Sequence, residues 1–461
     1  MKAFIIAGVS SGTGKTSISI GITKALTDYG YNVQTFKVGP DYLDPTWLKA
    51  ASKRDCYNLD TFMTDEEYVK SLFYKKTQNC DISIIEGVMG LYDGADSKSI
   101  YGSTAHMAKL LNLPVILVVD AGGLSNSIAA IVKGFIELEN ISIIGIIANF
   151  CGSEYHAQLL DEALKHYNLP PLIGYLKKNQ LPELPERYLG IYAFHLNSEN
   201  SFILNQLGDI IKQNIDLNKL LNLLNDFHFN KKTNFNNKNI AIHIKNKLQL
   251  SIAYDDAFYF YYPDNLYYLK ELGFQIKEFS PLKNQEIPKD TNFLYIGGGY
   301  PEQYAKQLEE NHLSKKSIYE YYKNNGYIYA ECGGLMYLSQ YLEISNNKYK
   351  MIGIFEFSTT MLEKRKVLGY RIIKLKENCF LGNKGMELRG HEFHYSEIIN
   401  PDENCIYEVY NRKKDYIYNE GYKKNHVIAS YIHLHFYSNE SCFKNFINKN
   451  QEVNYEKPKH L

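Results

Sequence analysis

A glycine-rich run near the N-terminus, Gly8-Val9-Ser10-Ser11-Gly12-Thr13-Gly14-Lys15-Thr16, lies between an apolar stretch, Ala3–Val9, and an amphipathic one, Thr16–Tyr29. Strand, glycine loop and helix in that order constrain a chain to a parallel α/β sheet. The loop's backbone N–H groups converge on an anion only where a helix begins. The lysine adds a point charge for phosphate oxygens, and the Thr16 hydroxyl stands where a bound Mg²⁺ would need an oxygen.

The rest of the first half supports that architecture. Val33–Val38, Ile82–Glu86, Val115–Asp120 and Ile143–Asn149 are short apolar runs bounded by Gly, Asp or Asn. Helical patterns at Thr104–Leu111 and Asn126–Glu137 separate them, and such alternation predicts a parallel sheet wrapped by helices. At 461 residues the chain exceeds one ordinary core. A second strand-helix series begins at Leu248–Tyr254 and continues through Phe274–Phe279, Phe293–Gly297 and Tyr327–Ala330. Val367–Leu375, His391–Ile399 and Ile428–His433 read as more antiparallel. Residues 200–247, with the polar run FNKKTNFNNKN, read as a terminal helix and a linker. The expected division is therefore 1–200, a helix and polar linker over 201–247, and a second α/β domain over 248–445.

Two carboxylate clusters fall at strand ends beside the phosphate loop. One is Lys37-Val38-Gly39-Pro40-Asp41-Tyr42-Leu43-Asp44-Pro45 and the other Ile84-Ile85-Glu86-Gly87. Either alone reads as a capping or loop feature. Together they mark the carboxyl edge of an open sheet, where ligands bind.

The second half carries a thiol on a tight turn, Ala330-Glu331-Cys332-Gly333-Gly334, after an apolar strand and before a helix start. Small flanking residues permit a strained elbow that presents the side chain. A free thiol is only a few per cent ionised at neutral pH, so a nucleophilic cysteine needs a base. Among 13 histidines His433 is the candidate, ending the strand Ser430-Tyr431-Ile432, with His391, His394 and His435 as competitors. The Gly297-Gly298-Gly299 turn supplies N–H groups, and those of Gly299 and Gly333 are placed to stabilise an oxyanion. Cys56, Cys80, Cys151, Cys379, Cys405 and Cys442 read as structural. Seven cysteines without a CxxC pair suggest neither a disulfide framework nor a zinc site.

With these motifs in order, the chain resembles the cobyrinate a,c-diamide synthase family. The resemblance rests on KVGPDYLDP, CYNLD, IIEGVMGLYDG, LPERYLG, IGGGYPE, AECGGLMYL, RGHEFHYS and SYIHLHF. The first loop glycine stands at Gly8 rather than at Val9, as in the longer loop of dethiobiotin synthetase-like proteins. The resemblance implies an N-terminal P-loop amidoligase domain followed by a class I glutamine amidotransferase domain. It implies ATP on Ser11, Gly12, Thr13, Gly14, Lys15, Thr16 and Ser17, and Mg²⁺ on Thr16, Asp41 and Glu86. Tyr42 and Asp44 would lie by the acceptor carboxylate, with Cys332 as nucleophile and His433 as its base. The substrates implied are glutamine, ATP and a cobyrinate-type tetrapyrrole. Three positions depart from the pattern. His435 stands where a class I triad has glutamate, Tyr188 where relatives often have histidine, and TWLKAA follows the DP pair where many have a histidine.

Two other readings are kept open. Ni-sirohydrochlorin a,c-diamide synthase performs the same chemistry on another ring. A partitioning-type ATPase would share the loop but leaves Cys332, GGGYPE and His433 without a task. Lys+Arg 51 balances Asp+Glu 51, so no overall basic field invites nucleic acid or an anionic membrane. No stretch approaches the ~20 apolar residues of a membrane span. A cytoplasmic enzyme is expected, with a homodimer as its candidate assembly.

Overall fold

The computed structural model describes residues 1–187, 190–191, 193–194, 198–227, 247–401 and 404–450. Tyr188 and the run FNKKTNFNNKN lie outside them. The chain forms two compact units, Met1–Thr61 with Asp65–Asn236, and Phe62–Thr64 with Asn237–Leu461.

The first unit is built on seven strands, β1 (Lys2–Gly8), β2 (Val33–Val38), β3 (Tyr57–Leu59), β4 (Ile82–Gly90), β5 (Val115–Asp120), β6 (Ile143–Cys151) and β7 (Leu172–Lys177). They lie in the order β3-β2-β4-β1-β5-β6-β7, every neighbouring pair parallel. Both faces are covered, which is why the strands read as unbroken apolar runs. In β1, Ala3, Ile5 and Ala7 enter one core with Phe36 and Val119. Phe4 and Ile6 enter the other, with Ile18 and Ile22 of α1 (Lys15–Asp28) and with Ile211. Two helices, Ser198–Asn214 and Leu217–Leu223, come after the strands. Both helices pack into the first unit through Leu207, Ile211, Leu217 and Leu220. Among the described residues no helix is long and apolar enough to cross a membrane.

The second unit holds a ten-stranded mixed sheet. From one edge its strands are Phe274–Phe279, Leu248–Ala253, Phe293–Ile296, Tyr327–Glu331 and Val427–Ser430. Tyr416–Lys424, Asn404–Tyr410, Val367–Leu375, Glu387–His394 and Ile432–His435 follow. The first five are parallel and the remaining pairings antiparallel.

Two expected strands prove to be four. The segment read as Ile428–His433 breaks at Tyr431. Val427–Ser430 pairs with Tyr327–Glu331, whereas Ile432–His435 pairs with Glu387–His394. Local hydrogen bonds hold the break: Ile432 N–H donates to Ser430 Oγ at 2.9 Å, and Tyr431 N–H to Glu420 Oε1 at 2.7 Å. The segment read as His391–Ile399 likewise divides into Glu387–His394 and Ser396–Ile399, the second in a separate four-stranded sheet.

Candidate functional site

The phosphate loop leaves the centre of the parallel sheet. Gly14 caps α1 with φ 82°, and Gly12 has φ 80°, both in the left-handed region that glycine tolerates. Space also demands glycine at Gly14, where a Cβ would lie 2.4 Å from Asn149 Nδ2. That amide clamps the loop from β6: Nδ2 donates to Thr13 O at 2.9 Å, and its Oδ1 accepts from Phe150 N–H. Ser11 and Gly12 are exposed, Thr13 and Lys15 buried, and Thr16 and Ser17 half-buried. The arrangement is a helix N-terminus with an open backbone approach, suited to an anion.

Beside it, β2 and β4 are in register at Lys37 and Glu86. Lys37 Nζ donates to Glu86 Oε1 at 2.8 Å and to Asp44 Oδ2 at 2.6 Å. Thr16 Oγ1 donates to the same Glu86 Oε1 at 2.6 Å. Asp41 Oδ1 accepts from Leu43 N–H, and Tyr42 is half-buried in the same turn. Asp44 opens the helix Asp44–Ser52. Thr16, Asp41, Asp44 and Glu86 thus gather around Lys37.

The electrostatics of this cluster follow from crowding. Burial first, and Lys37 second, depress the Lys15 ammonium. Lys37 is itself raised, because Asp44 and Glu86 outweigh its burial. Burial and the Asp44 carboxylate push Asp41 upward. Burial likewise raises Glu86 against the pull of Lys37. Asp44 stays below its ordinary value, Lys37 overcoming the cost of burial.

Among the described residues, no three His, Cys, Asp or Glu side chains are spaced to enclose a metal. Mg²⁺ does not need such a cage, since it commonly takes one or two carboxylates together with substrate phosphates and water. Glu86 Oε2 is fully buried and has no hydrogen-bond partner among the described residues. With the Thr16 hydroxyl adjacent, this orphaned oxygen fits a hard cation.

In the second unit Cys332 occupies the elbow between the strand Tyr327–Glu331 and the helix Gly333–Leu338, with φ 46° and ψ −101°. This is a conformation that costs a non-glycine residue of order 1–3 kcal/mol. Cys332 N–H donates to Ser430 O at 2.7 Å, which anchors the elbow to the neighbouring strand. The loops after the adjacent parallel strands Phe293–Ile296 and Tyr327–Glu331 meet there. A Cβ on Gly333 would lie 3.1 Å from Gly299 N, so the two candidate oxyanion amides are brought together. Gly299, at φ 154°, has no room for a side chain, because a Cβ would lie 2.1 Å from Ala257 O.

His433 faces the same loop. A Cβ on Gly298 would lie 2.4 Å from its Cε1 and 3.3 Å from its Nε2. Cys332 is 6% exposed, with Sγ 3.9 Å from Phe393 O. Burial, followed by the Glu302 carboxylate, pushes it well above the ordinary thiol value, while the Gly333 N–H pulls the other way. A nucleophilic role for Cys332 would therefore need a base to take its proton.

The competing histidines have other neighbours. His394 bonds through Nδ1 to Ser396 O at 2.7 Å and through Nε2 to Glu392 Oε1 at 2.9 Å, so both nitrogens are engaged. His435 Nε2 lies 3.7 Å from Asp264 Oδ2, and burial lowers its pKa to about 3. His391 is the cross-strand partner of His433 and is lowered to about 3, by burial first and His433 second. Lys37, Asn149 and Glu331 carry no local signal in the sequence: each lies in or beside an apolar strand, and the partners Glu86, Thr13 and Leu434 are remote from them along the chain.

Residues 4–191 match the family model of the CobQ/CobB/MinD/ParA nucleotide binding domain. Residues 249–441 match that of the CobB/CobQ-like glutamine amidotransferase domain. The chain is 42% identical to the cobyrinate a,c-diamide synthase of Syntrophotalea carbinolica, covering 96% of this chain and 97% of that one. It is 40% identical to the enzyme of that name from Caldanaerobacter subterraneus, over 97% of this chain and 98% of the relative. Listeria innocua supplies another at 40% identity, over 95% and 97%. Full-length similarity at this level, with a nucleotide-binding domain preceding a glutamine amidotransferase domain, places the chain in the cobyrinate a,c-diamide synthase family, as a glutamine-dependent amidating ligase.

Proposed function

We propose that the protein amidates the a and c acetate carboxylates of cobyrinate, using ATP to activate each acid and glutamine as the nitrogen source. The reading is carried by the presence, in one chain, of a phosphate loop with a Thr16–Glu86–Lys37 cluster and a cysteine elbow flanked by two glycine amides. The name shared by relatives of about 40% identity supports the acceptor.

In the second unit, Cys332 Sγ attacks the amide carbon of glutamine while His433 takes the thiol proton. Gly299 and Gly333 N–H groups receive the oxyanion. The intermediate collapses to a glutamyl thioester as His433 returns the proton to departing ammonia, and water releases glutamate. In the first unit an acceptor carboxylate oxygen attacks the γ-phosphorus of ATP, ADP leaves, and an acyl phosphate forms. Ammonia then attacks the acyl carbon, phosphate departs, and the amide remains. The loop amides and Lys15 hold the phosphates, while Tyr42 and Asp44 orient the acid. Thr16, Asp41 and Glu86 would hold Mg²⁺, which neutralises charge on the phosphate oxygens when bound.

The test is direct: purified protein with glutamine, ATP, Mg²⁺ and cobyrinate, followed by mass spectrometry. ATP-dependent mono- and diamide are expected. Amidation of Ni-sirohydrochlorin but not of cobyrinate would move the acceptor assignment, and ATP hydrolysis without glutaminase activity would overturn the reading.

A further inference from the structure

We infer that Glu331 is the carboxylate that positions His433, taking the task of the triad glutamate whose place is held by His435. The inference rests on the Cys332–His433 reading and deepens it.

Alternation along the strand Tyr327–Glu331 puts Glu331 on the same face as Tyr329, and opposite the next residue, Cys332. Tyr329 is in register with Tyr295 on the adjacent strand. The three form a buried group with Glu331 only 1% exposed. A carboxylate in such a place must be compensated by hydrogen bonds. Tyr295 OH donates to Oε2 at 2.6 Å, and Tyr329 OH to Oε1 at 2.8 Å. The third donor is Leu434 N–H, to Oε1 at 2.9 Å. This last bond ties Glu331 to the residue that follows His433, so the carboxylate and the imidazole share one short segment of backbone.

Glu331 Oε2 lies 3.8 Å from His433 Nδ1. Toward Gly298, in the loop that carries Gly299, the ring presents Cε1, the carbon between its two nitrogens, with Nε2 next nearest. The Glu331 carboxylate is thus within ion-pair reach of Nδ1, one short movement from a hydrogen bond, and Nε2 lies on the side of the oxyanion loop. A histidine base needs this division: Nε2 receives the thiol proton, and Nδ1–H points to an acid that fixes the tautomer and stabilises the imidazolium. The proton taken from Sγ is returned to the departing ammonia, so the cycle is balanced. His435 cannot substitute, because burial keeps its imidazole neutral and Asp264 stands beside it. Glu331 is thus a positioning residue that acts through His433.

Glutaminase kinetics and alkylation of Cys332 by iodoacetamide, located by peptide mass mapping, test this in wild type, E331Q, H433A and the double variant. E331Q keeps the size and one acceptor oxygen but removes the charge. Its kcat is expected to fall by at least about tenfold, toward the roughly 10⁴-fold loss that neutralising a triad acid produces. KM for glutamine should stay within about twofold, and amidation driven by ammonium should match wild type. The alkylation rate should fall in the wild-type background and be unchanged by E331Q in the H433A background, as expected for residues acting as one unit. Wild-type kcat in E331Q, or an equal loss in both backgrounds, overturns the inference and leaves Glu331 a packing residue. If E331Q does not fold, E331D in the same two backgrounds decides by the same criterion. Failure of the parent reading looks different: wild type shows no glutaminase activity, or H433A retains it in full.

Discussion

Thr16 Oγ1 and Lys37 Nζ both donate to Glu86 Oε1, at 2.6 and 2.8 Å, so a single buried carboxylate oxygen joins the helix after the phosphate loop to the neighbouring strand. Glu86 is fully buried, and its charge is tolerable only because these donors meet it. Lys37→Met removes the cation that serves Glu86 and Asp44 together. It should cost about 3–5 kcal/mol in urea unfolding of the first unit, since an uncompensated buried charge is worse than a lost contact. Glu86→Gln added to Lys37→Met should recover part of that loss. A Lys37→Met protein as stable as wild type would show that the cluster is not the electrostatic unit described.

The two candidate sites make separable contributions to turnover. Cys332→Ala should lose glutamine-driven amidation while keeping the ammonium-driven rate within about twofold, because only the nitrogen source is affected. Lys15→Ala should lose both, with phosphoryl transfer slowed by roughly a hundredfold or more. Parallel assays with glutamine and with ammonium chloride distinguish the outcomes. Full glutamine-driven activity in Cys332→Ala would remove the sulfur from the mechanism.

Much of the fold is legible in the sequence because the strands that position the sites are buried on both faces. Val33–Val38 and Val115–Asp120 are continuous or near-continuous in β-forming residues, and the structure places strands over those same residues. Tyr57–Leu59 is too short to show a period, although it extends the sheet next to Lys37. Leu172–Lys177 escapes for a different reason. It lies at the sheet edge, carries a glycine and is only partly buried. The break at Tyr431 is invisible in SYIHLHF, whose apolar pattern suits one strand, because it is held by the side chains of Ser430 and Glu420. Site residues divide in the same way. Loops that need glycine announce themselves, whereas Asn149 reaches Thr13 across 136 residues and Glu331 reaches Leu434 across 103.

Helix α1 and the helix Ser198–Asn214 approach closely at Gly21. A Cβ there would lie 2.5 Å from Ile211 Cγ1 and 3.0 Å from Leu207 O. Glycine to alanine in a helix interior ordinarily gains up to about 1 kcal/mol. Here backbone stands in the way, and overpacking typically costs about 1–3 kcal/mol. Gly21→Ala should therefore destabilise the first unit, by a net 1 kcal/mol or so, measurable as a lower melting temperature. A stabilised variant would mean that the two helices separate freely.

Glu420 gives the second unit a pH dependence of definite sign. Its carboxyl accepts from Ser430 Oγ at 2.6 Å and from Tyr431 N–H at 2.7 Å. Burial dominates these bonds and raises it from an ordinary 4.5 to about 8. Between those values the folded protein holds a proton that the unfolded chain has released, so stability falls as pH rises. The contribution is complete below about pH 4.5 and gone above about pH 8. A shift of that size caps the effect at about 5 kcal/mol, at about 1.4 kcal/mol per unit, and relaxation on ionisation reduces it to a few. Glu420→Gln lacks the titration while keeping an acceptor for Tyr431 N–H. Relative to wild type it should gain stability steadily between pH 5 and pH 8 and hold a constant difference above that. Urea unfolding of both proteins at pH 5, 7 and 9 measures it. Parallel stability curves across that range would show that Glu420 ionises in the folded protein as freely as in the unfolded chain.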